Sequence, residues 1–479
     1  MSKYITKNLF LSTLQCPTYG FLQQLQPPLE QLSPADQLRI EEGIEVQERA
    51  RTLYPEGVLV SGDNKTASMT TQQLLNDPSI ETIFEATFIN TPYVTKADIL
   101  LRKSTGWEII EIKSNVNLSD ELIDDLAYTT MICRKTGLDI TSCSLLLINK
   151  EYRLGMSDEK LFVEKDITTE VFERVVEFEK SYARIAGILS NEEQPAPELK
   201  WECKHCEIFT DCCGEGIDNH IFDLPRISHT KFCQLKNMEV FEIGAIPADF
   251  ELTDNQEIVR SAVISGEPVI DSDGLRKALD SIVQPVYYLD FETVQTAIPL
   301  YEGIAPYTQI VTQYSLHSKS GIVVEHREYL AQADRDCRRE LAERLVDDCG
   351  SEGSIVVYSS FEKTVINGLA MLFPDLSEDL SKLVGRLVDL YKIIRNCYYH
   401  PGFHGSYSIK KVLPVLVPGL GYDGMAIGNG LDASAQYAYM SRGRYDREEM
   451  ERIRGELLEY CELDTLAMVR LEEGLREVV

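Results

Sequence analysis

VTKADILLR (94–102) and GWEIIEIKSN (106–115) are two apolar, β-branched runs separated by a short polar break at 103–106. Such a pair reads as an antiparallel hairpin. Side chains alternate along a strand, so Glu111 and Lys113 share one face, and Asp98 can join them from the neighbouring strand. Two carboxylates and an amine make a platform for Mg²⁺ or Mn²⁺, with the lysine beside the water or the phosphate. This chemistry suits phosphodiester hydrolysis. The plain alternative is an edge hairpin carrying exposed charges.

Around the hairpin the sequence punctuates itself. Residues 5–80 read as helical, most clearly in DQLRIEEGIEVQERARTLYPEG (36–57), which Pro55 and Gly57 end. A sheet is expected over about 80–150, from ETIFEATFI (81–89), the two hairpin strands and SCSLLLINKEY (142–152). Between its third and fourth strands a helix is signalled by Ser119 as cap, Asp120 and Glu121 at its positive end, and Gly137 at its stop. A Pro-containing linker, NEEQPAPELKW (191–201), leads to a knot of cysteines, and residues 226–283 carry mixed helical signals.

At 479 residues the chain is expected to hold two or three domains. Its 44% hydrophobic and 26% charged residues are those of a soluble globular protein. The net charge of −30 argues against tight, autonomous binding of nucleic acid unless a local basic groove exists, and fits docking to a basic partner. No P-loop pattern is present, so a helicase or ATPase is expected to be a separate subunit. The opening MSKYITKNLF has no apolar signal core and no stretch approaches a membrane span, so a cytoplasmic location is expected. In that compartment disulfides are not expected, and cysteines 133, 143, 233, 337, 349, 397 and 461 read as reduced packing residues.

A second set of carboxylates begins at VYYLDFETV (286–294), where Asp290 and Glu292 lie two apart on one strand face. IVVYSSFEKTVINGLA (355–370) is a strand running into a helix, with Ser359 or Ser360 as cap and Glu362 in the first turn. In the C-terminal helix, MERIRGELLEYCELDTLAMVRL (450–471), Tyr460 and Asp464 stand at i, i+4. Asp389, in LVDLYKIIR (387–395), is an additional acidic candidate.

The cysteines are Cys16 near the start and then WE-Cys203-KH-Cys206-EIFTD-Cys212-Cys213. One early cysteine followed by C-x2-C-x5-C resembles the iron–sulfur nucleases of the RecB-like PD-(D/E)xK superfamily. The resemblance covers about residues 1–225 and implies a 4Fe-4S cluster clipping the ends of a nuclease domain together. Cys16, Cys203, Cys206 and Cys212 would be its ligands, with Cys213 a rival for the last place. Four thiolates, with His205 inside the knuckle, also suit tetrahedral Zn²⁺. By the same resemblance Asp98 and Glu111 would hold metal, and Lys113 would position water and stabilise phosphorane charge.

The D-x-E strand, the acidic helix start and the terminal Y-x3-D resemble the DEDD exonucleases of the RNase H-like superfamily, Tyr subtype. Asp290 and Glu292 match the first motif, Glu362 stands where Asp is usual, and Asp464 with Tyr460 matches the last. The resemblance implies metal held by the carboxylates and a Tyr460 that orients water for 3′ to 5′ hydrolysis. YYLDFET (287–293), IPLYEGIAPYTQIVTQYSLH (298–317) and HGSYSIKKVLPVL (404–416) are similar to an uncharacterised bacterial family that fuses the two nuclease types. The chain departs from the first type where a metal-binding His is common, offering Gln47. It offers Thr129 and Cys133, with Tyr128 adjacent, in place of a helical Q-x3-Y. Glu85, in FEATF, is the candidate replacement ligand.

The fold expected is therefore α/β: a PD-(D/E)xK restriction-endonuclease-like domain over 1–225, a helical connector over 226–283, and an RNase H-like DEDD domain over 284–479. The function expected is a metal-dependent nuclease or exonuclease acting on DNA, single-stranded ends above all, in repair, recombination or defence. A scaffold that binds nucleic acid with decayed centres, and a ribonuclease, are the competing readings.

Overall fold

The computed structural model describes residues 4–25 and 32–479, and it is a mixed α/β protein. The helical expectation for 5–80 is met in part, by Lys7–Gln15, Pro17–Leu25, Pro34–Arg51 and Asn64–Leu75, while Val58–Leu59 forms a short strand; residues 26–31 lie outside the described ones. The chain divides into two units, Met1–Glu198 with Gln295–Thr308, and Leu199–Val294 with Gln309–Val479. The division expected at 225/226 thus falls at 198/199. The cause is apolar: Trp201 and Phe209, flanking the cysteines, meet Phe222, and Trp201 also meets Phe232, in the second unit's core. Burying those aromatic faces outweighs proximity in sequence to the first unit. The expected connector joins the same core through Leu235, Val259, Leu275 and Leu279.

In the first unit six strands form one sheet in sequence order: β1 (Val58–Leu59), β2 (Thr82–Asn90), β3 (Tyr93–Lys103), β4 (Gly106–Ile112), β5 (Ile140–Ile148) and β6 (Phe162–Asp166). The β3–β4 hairpin is antiparallel with Lys103 opposite Gly106, as the sequence predicts. Gly106 has φ +125°, and a Cβ there would meet the Asp139 carbonyl at 2.8 Å, so the tight turn favours glycine. β4 and β5 are parallel, which requires a crossover, and the helix Asp120–Lys135 supplies it. Ser119 occupies the N-cap but makes no capping bond with its side chain, while Gly137, at φ +90°, follows the helix end as expected. Tyr128 belongs to the core: its hydroxyl donates to the Ile5 and Val94 carbonyls, at 2.9 and 3.0 Å.

The second unit holds β7 (Val269–Ile270), β8 (Val286–Val294), β9 (Ile310–Ser320), β10 (Val323–Leu330), β11 (Ser354–Val357), β12 (Leu387–Asp389) and β13 (Tyr398–Tyr399). Five of them form a sheet in the order β10-β9-β8-β11-β12. β8 is antiparallel to β9, as β9 is to β10, and β8, β11 and β12 run parallel. The acidic strand β8 is therefore central. The helix Arg447–Val478 packs across β8 and β9. It is started by a reciprocal Asp446–Glu449 capping box and buries Ile453, Leu457, Tyr460, Asp464, Met468 and Leu471 on one face. Among the described residues no helix is long and apolar enough to cross a membrane.

Candidate active site

In the first unit, strand alternation brings Glu111 and Lys113 together as expected, with the Lys113 ammonium 3.3 Å from Glu111 Oε1. Asp98 sits beside them, its Oδ2 accepting the Ile112 amide at 2.8 Å and its Oδ1 the Gln47 side chain at 3.4 Å. Gln47 thus does reach the pair. Two residues that sequence reading missed complete the cluster. The Lys7 ammonium lies 2.8 Å from Glu111 and 3.3 Å from Asp125, and Lys113 lies 2.5 Å from Asp125. Burial by itself would raise the Glu111 carboxyl, but Lys7 and Lys113 overcome it and hold it low, at about 2. Burial and the Glu111 charge push Asp98 the other way, to about 8. With Asp98 protonated, two ammonium groups balance two carboxylates. This centre is electrically closed by its own side chains.

Glu85 does not join it. Its residue has φ +54°, and its carboxylate pairs with Arg51 at 3.1 Å. The β2–β3 register is unbroken across this point, Phe84 facing Ile99 and Ala86 facing Ala97, but the positive φ of Glu85 leaves it and the opposing Asp98 unpaired in the ladder. The candidate replacement ligand is engaged in an ion pair with Arg51.

The second centre differs in its charge. One carboxylate oxygen each from Asp290, Glu292 and Asp464 lie within 4.8 Å of one another. Glu362 is buried, accepts from the Ser359 hydroxyl at 3.3 Å and hydrogen-bonds Asp290. Strand, helix start and C-terminal helix therefore bring all four expected carboxylates to one place. Burial, then their mutual repulsion, raises them: Asp290 far above the carboxylate range under Asp464, Glu292 and Glu362, and Glu292 to about 8 beside Asp464. Burial also lifts Glu362 to about 7 and Asp464 to about 6.

Asp464 is held by two tyrosines, Tyr460 from its own helix and Tyr422 from a loop. Burial and the Asp464 charge push both phenols far up, so both keep their protons. The Lys410 ammonium stands 5.0 and 5.7 Å from the Tyr422 and Tyr460 ring centres and lowers Glu292 and Asp464. Tyr422 and Lys410 were not foreseen, because a loop tyrosine and a lysine of an amphipathic helix carry no chemical signature by spacing. Asp389 lies near enough to raise Glu362, but its carboxylate caps the next helix at Lys392 and pairs with that ammonium at 3.0 Å.

These shifts give a signed expectation. A carboxyl whose folded pKa exceeds its unfolded value near 4 binds its proton more tightly when folded. Metal-free protein should therefore lose stability as pH rises from about 4 through about 8, the window set by Glu292, Glu362 and Asp464. Adding Mn²⁺ at pH 8 should restore it. Thermal melts at pH 6 and 8, with and without Mn²⁺, measure this; a melting temperature that rises with pH in metal-free protein contradicts it.

Of the expected sulfur ligands, Cys203, Cys206 and Cys212 lie in the second unit and Cys16 in the first. Within the second unit the Cys213 thiol hydrogen-bonds those of Cys203 and Cys212 and is raised to about 12, by burial first and then by Cys212 and Cys203. Cys213 is thus as well placed as Cys212, whose sulfur is 4.0 Å away.

Comparison with known proteins reaches this region. Residues 287–408 match the model of a domain of unknown function, DUF2779, and that segment holds Asp290, Glu292 and Glu362. The uncharacterized protein MG366 of Mycoplasma genitalium is 26% identical over 215 residues, which is 40% of this chain and 32% of that protein. The uncharacterized protein UU173 of Ureaplasma parvum is likewise 26% identical over 215 residues, 40% of this chain and 31% of its own length. The chain thus spans about a third of the length of these relatives and is similar to them over that part.

Proposed function

We propose that the protein is a metal-dependent nuclease whose working centre is Asp290, Glu292, Glu362 and Asp464. The observation that carries this reading is the charge imbalance: four buried or half-buried carboxyls face one another with Lys410 the cation that lowers two of them. A donor set made wholly of carboxylate oxygens suits Mg²⁺ or Mn²⁺. When bound, such ions would supply positive charge for a phosphodiester undergoing hydrolysis. The chain's own groups would orient the reaction. Asp464 is fixed by two phenol protons, and Tyr460 offers a hydroxyl to position a water. Lys410 adds a positive charge for the nucleic-acid backbone. Central strands β8 and β11, with the helices that follow β11 and close the chain, carry the four carboxyls, and Tyr422 reaches Asp464 from a loop. The sheet order, three antiparallel strands followed by two parallel ones, supports the RNase H-like reading.

The first unit supports a restriction-endonuclease-like reading through its hairpin and the Asp98, Glu111 and Lys113 cluster. The Lys7 ammonium at Glu111 favours a centre that has become structural. Full-length protein assayed with Mn²⁺ on 5′-labelled single- and double-stranded DNA and RNA tests the assignment. Activity that survives Glu111→Ala but disappears with Asp290→Asn supports it. The opposite pattern would transfer the chemistry to the first unit.

The cysteines would hold a 4Fe-4S cluster, or Zn²⁺ in its place; the convergence of three thiols within one short segment fits soft-metal binding. Protein purified without oxygen should be brown and contain iron and sulfide, and Cys203→Ser should lower its melting temperature. Near-stoichiometric zinc with no iron would decide for the alternative.

A further inference from the structure

Outside both centres, on the same side of the second unit's sheet, two histidines face each other across strands. His317 of β9 is paired in register with His326 of β10, and their ring centres are 4.5 Å apart. One nitrogen from each, and a carboxylate oxygen of Glu462 on the C-terminal helix, lie within 4.8 Å of one another.

The hydrogen bonds around them decide where the protons are. Thr465 Oγ1 lies 3.0 Å from the Glu462 carbonyl, 2.8 Å from His317 Nδ1 and 2.7 Å from Ser315 Oγ, and Ser315 Oγ lies 2.9 Å from His326 Nε2. A carbonyl cannot donate, so the one Thr465 proton must go to it. His317 Nδ1–H and Ser315 O–H then donate to Thr465, and His326 Nε2–H donates to Ser315. This is the only assignment that satisfies all four bonds. It leaves a lone pair on Nε2 of His317 and, in the neutral ring, on Nδ1 of His326. That second nitrogen is 3.7 Å from Glu462 Oε1. A lone pair facing a carboxylate calls for a cation between them. Donating the far N–H to a fixed acceptor is how proteins orient metal-binding imidazoles.

We propose that His317, His326 and Glu462 form a binding site for a divalent transition metal of the Zn²⁺ class, open at its remaining positions. Two imidazoles and one carboxylate suit such an ion better than Mg²⁺. The site would fasten edge strand β10 to the helix Arg447–Val478, two residues from Tyr460 and two from Asp464. Its occupancy would then set how firmly that helix lies on the sheet. The proposal does not depend on nuclease activity.

The experiment is Co²⁺ titration of full-length protein, followed by visible absorption and by the number of ions bound. Thiolate sites give intense charge-transfer bands, and a nitrogen–oxygen site gives weak d–d bands, so the cysteines are distinguished. His326→Ala on the edge strand and Glu462→Gln on the helix surface leave the core intact, which circular dichroism checks. Each should weaken one nitrogen–oxygen Co²⁺ site by about tenfold or more while the thiolate bands persist. Zn²⁺ should displace Co²⁺ from that site and raise the melting temperature of the wild type more than that of His326→Ala. Equal stoichiometry and spectra in wild type and both variants would overturn the proposal. So would a wild type with no thiolate-free Co²⁺ site.

Discussion

Asp464→Asn is expected to reduce 3′-end shortening of a 5′-labelled single-stranded oligonucleotide by at least about 10³-fold, about 4 kcal/mol of transition-state stabilisation. The substitution keeps the size of the side chain and an oxygen for the Tyr422 hydroxyl, but removes the charge that would bind metal. It also removes one of four mutually repelling groups, so the raised Glu292 and Asp290 should fall towards ordinary values. Metal-free Asp464→Asn protein should therefore be at least as stable as the wild type while losing its activity. Asp290→Asn should behave alike. Tyr460→Phe, which removes only an orienting hydroxyl, should cost about 10²-fold or less. A product ladder of undiminished intensity from both Asn variants would show that the carboxylate cluster is not the reacting centre. An inactive variant that is also unfolded in a thermal melt would count against the stability half of the argument.

Lys7→Ala is expected to destabilise the first unit by about 3 kcal/mol, because it strips a cation from a buried carboxylate. Lys7 is one-quarter exposed and Glu111 nearly fully buried, so water cannot replace the ammonium. Lys113 remains at 3.3 Å, which keeps the loss at the lower end for a broken buried pair. One Glu111 oxygen, Oε2, is already buried without a hydrogen-bond partner, and with Lys7 gone Oε1 keeps only Lys113 at 3.3 Å. Mg²⁺ or Mn²⁺ should bind there and recover part of the lost stability, an effect absent from Lys7→Ala/Glu111→Gln protein. Denaturant unfolding with and without metal measures both effects. An unchanged midpoint for Lys7→Ala would mean that the ammonium does not close the centre.

How much of this was legible in the sequence depends on distance along the chain. Alternation with a period of two places Glu111 with Lys113, and Asp290 with Glu292, on shared strand faces, and helical spacing places Tyr460 above Asp464. The strands at 82–112, the turn at Gly106 and the stop at Gly137 are likewise short-range consequences of β-branched runs and of glycine's freedom at positive φ. These are properties of a few neighbouring residues. The expected convergence of Asp290, Glu292, Glu362 and Asp464 joined four such local placements through motif order.

The sequence by itself thus determined which side chains share a face, and tertiary packing decided what those faces meet. Lys7 reaches Glu111 across 104 positions, and Tyr422 reaches Asp464 across 42. No periodicity connects such pairs. Glu85 pairs with Arg51, 34 positions away, from a backbone at φ +54° that no sequence pattern signals. The cysteine run went to the second unit because Trp201 and Phe209 pack against its core. Charge pairing and apolar burial act between surfaces after helices dock, so one acidic cluster is neutralised by its own lysines and the other is left unbalanced.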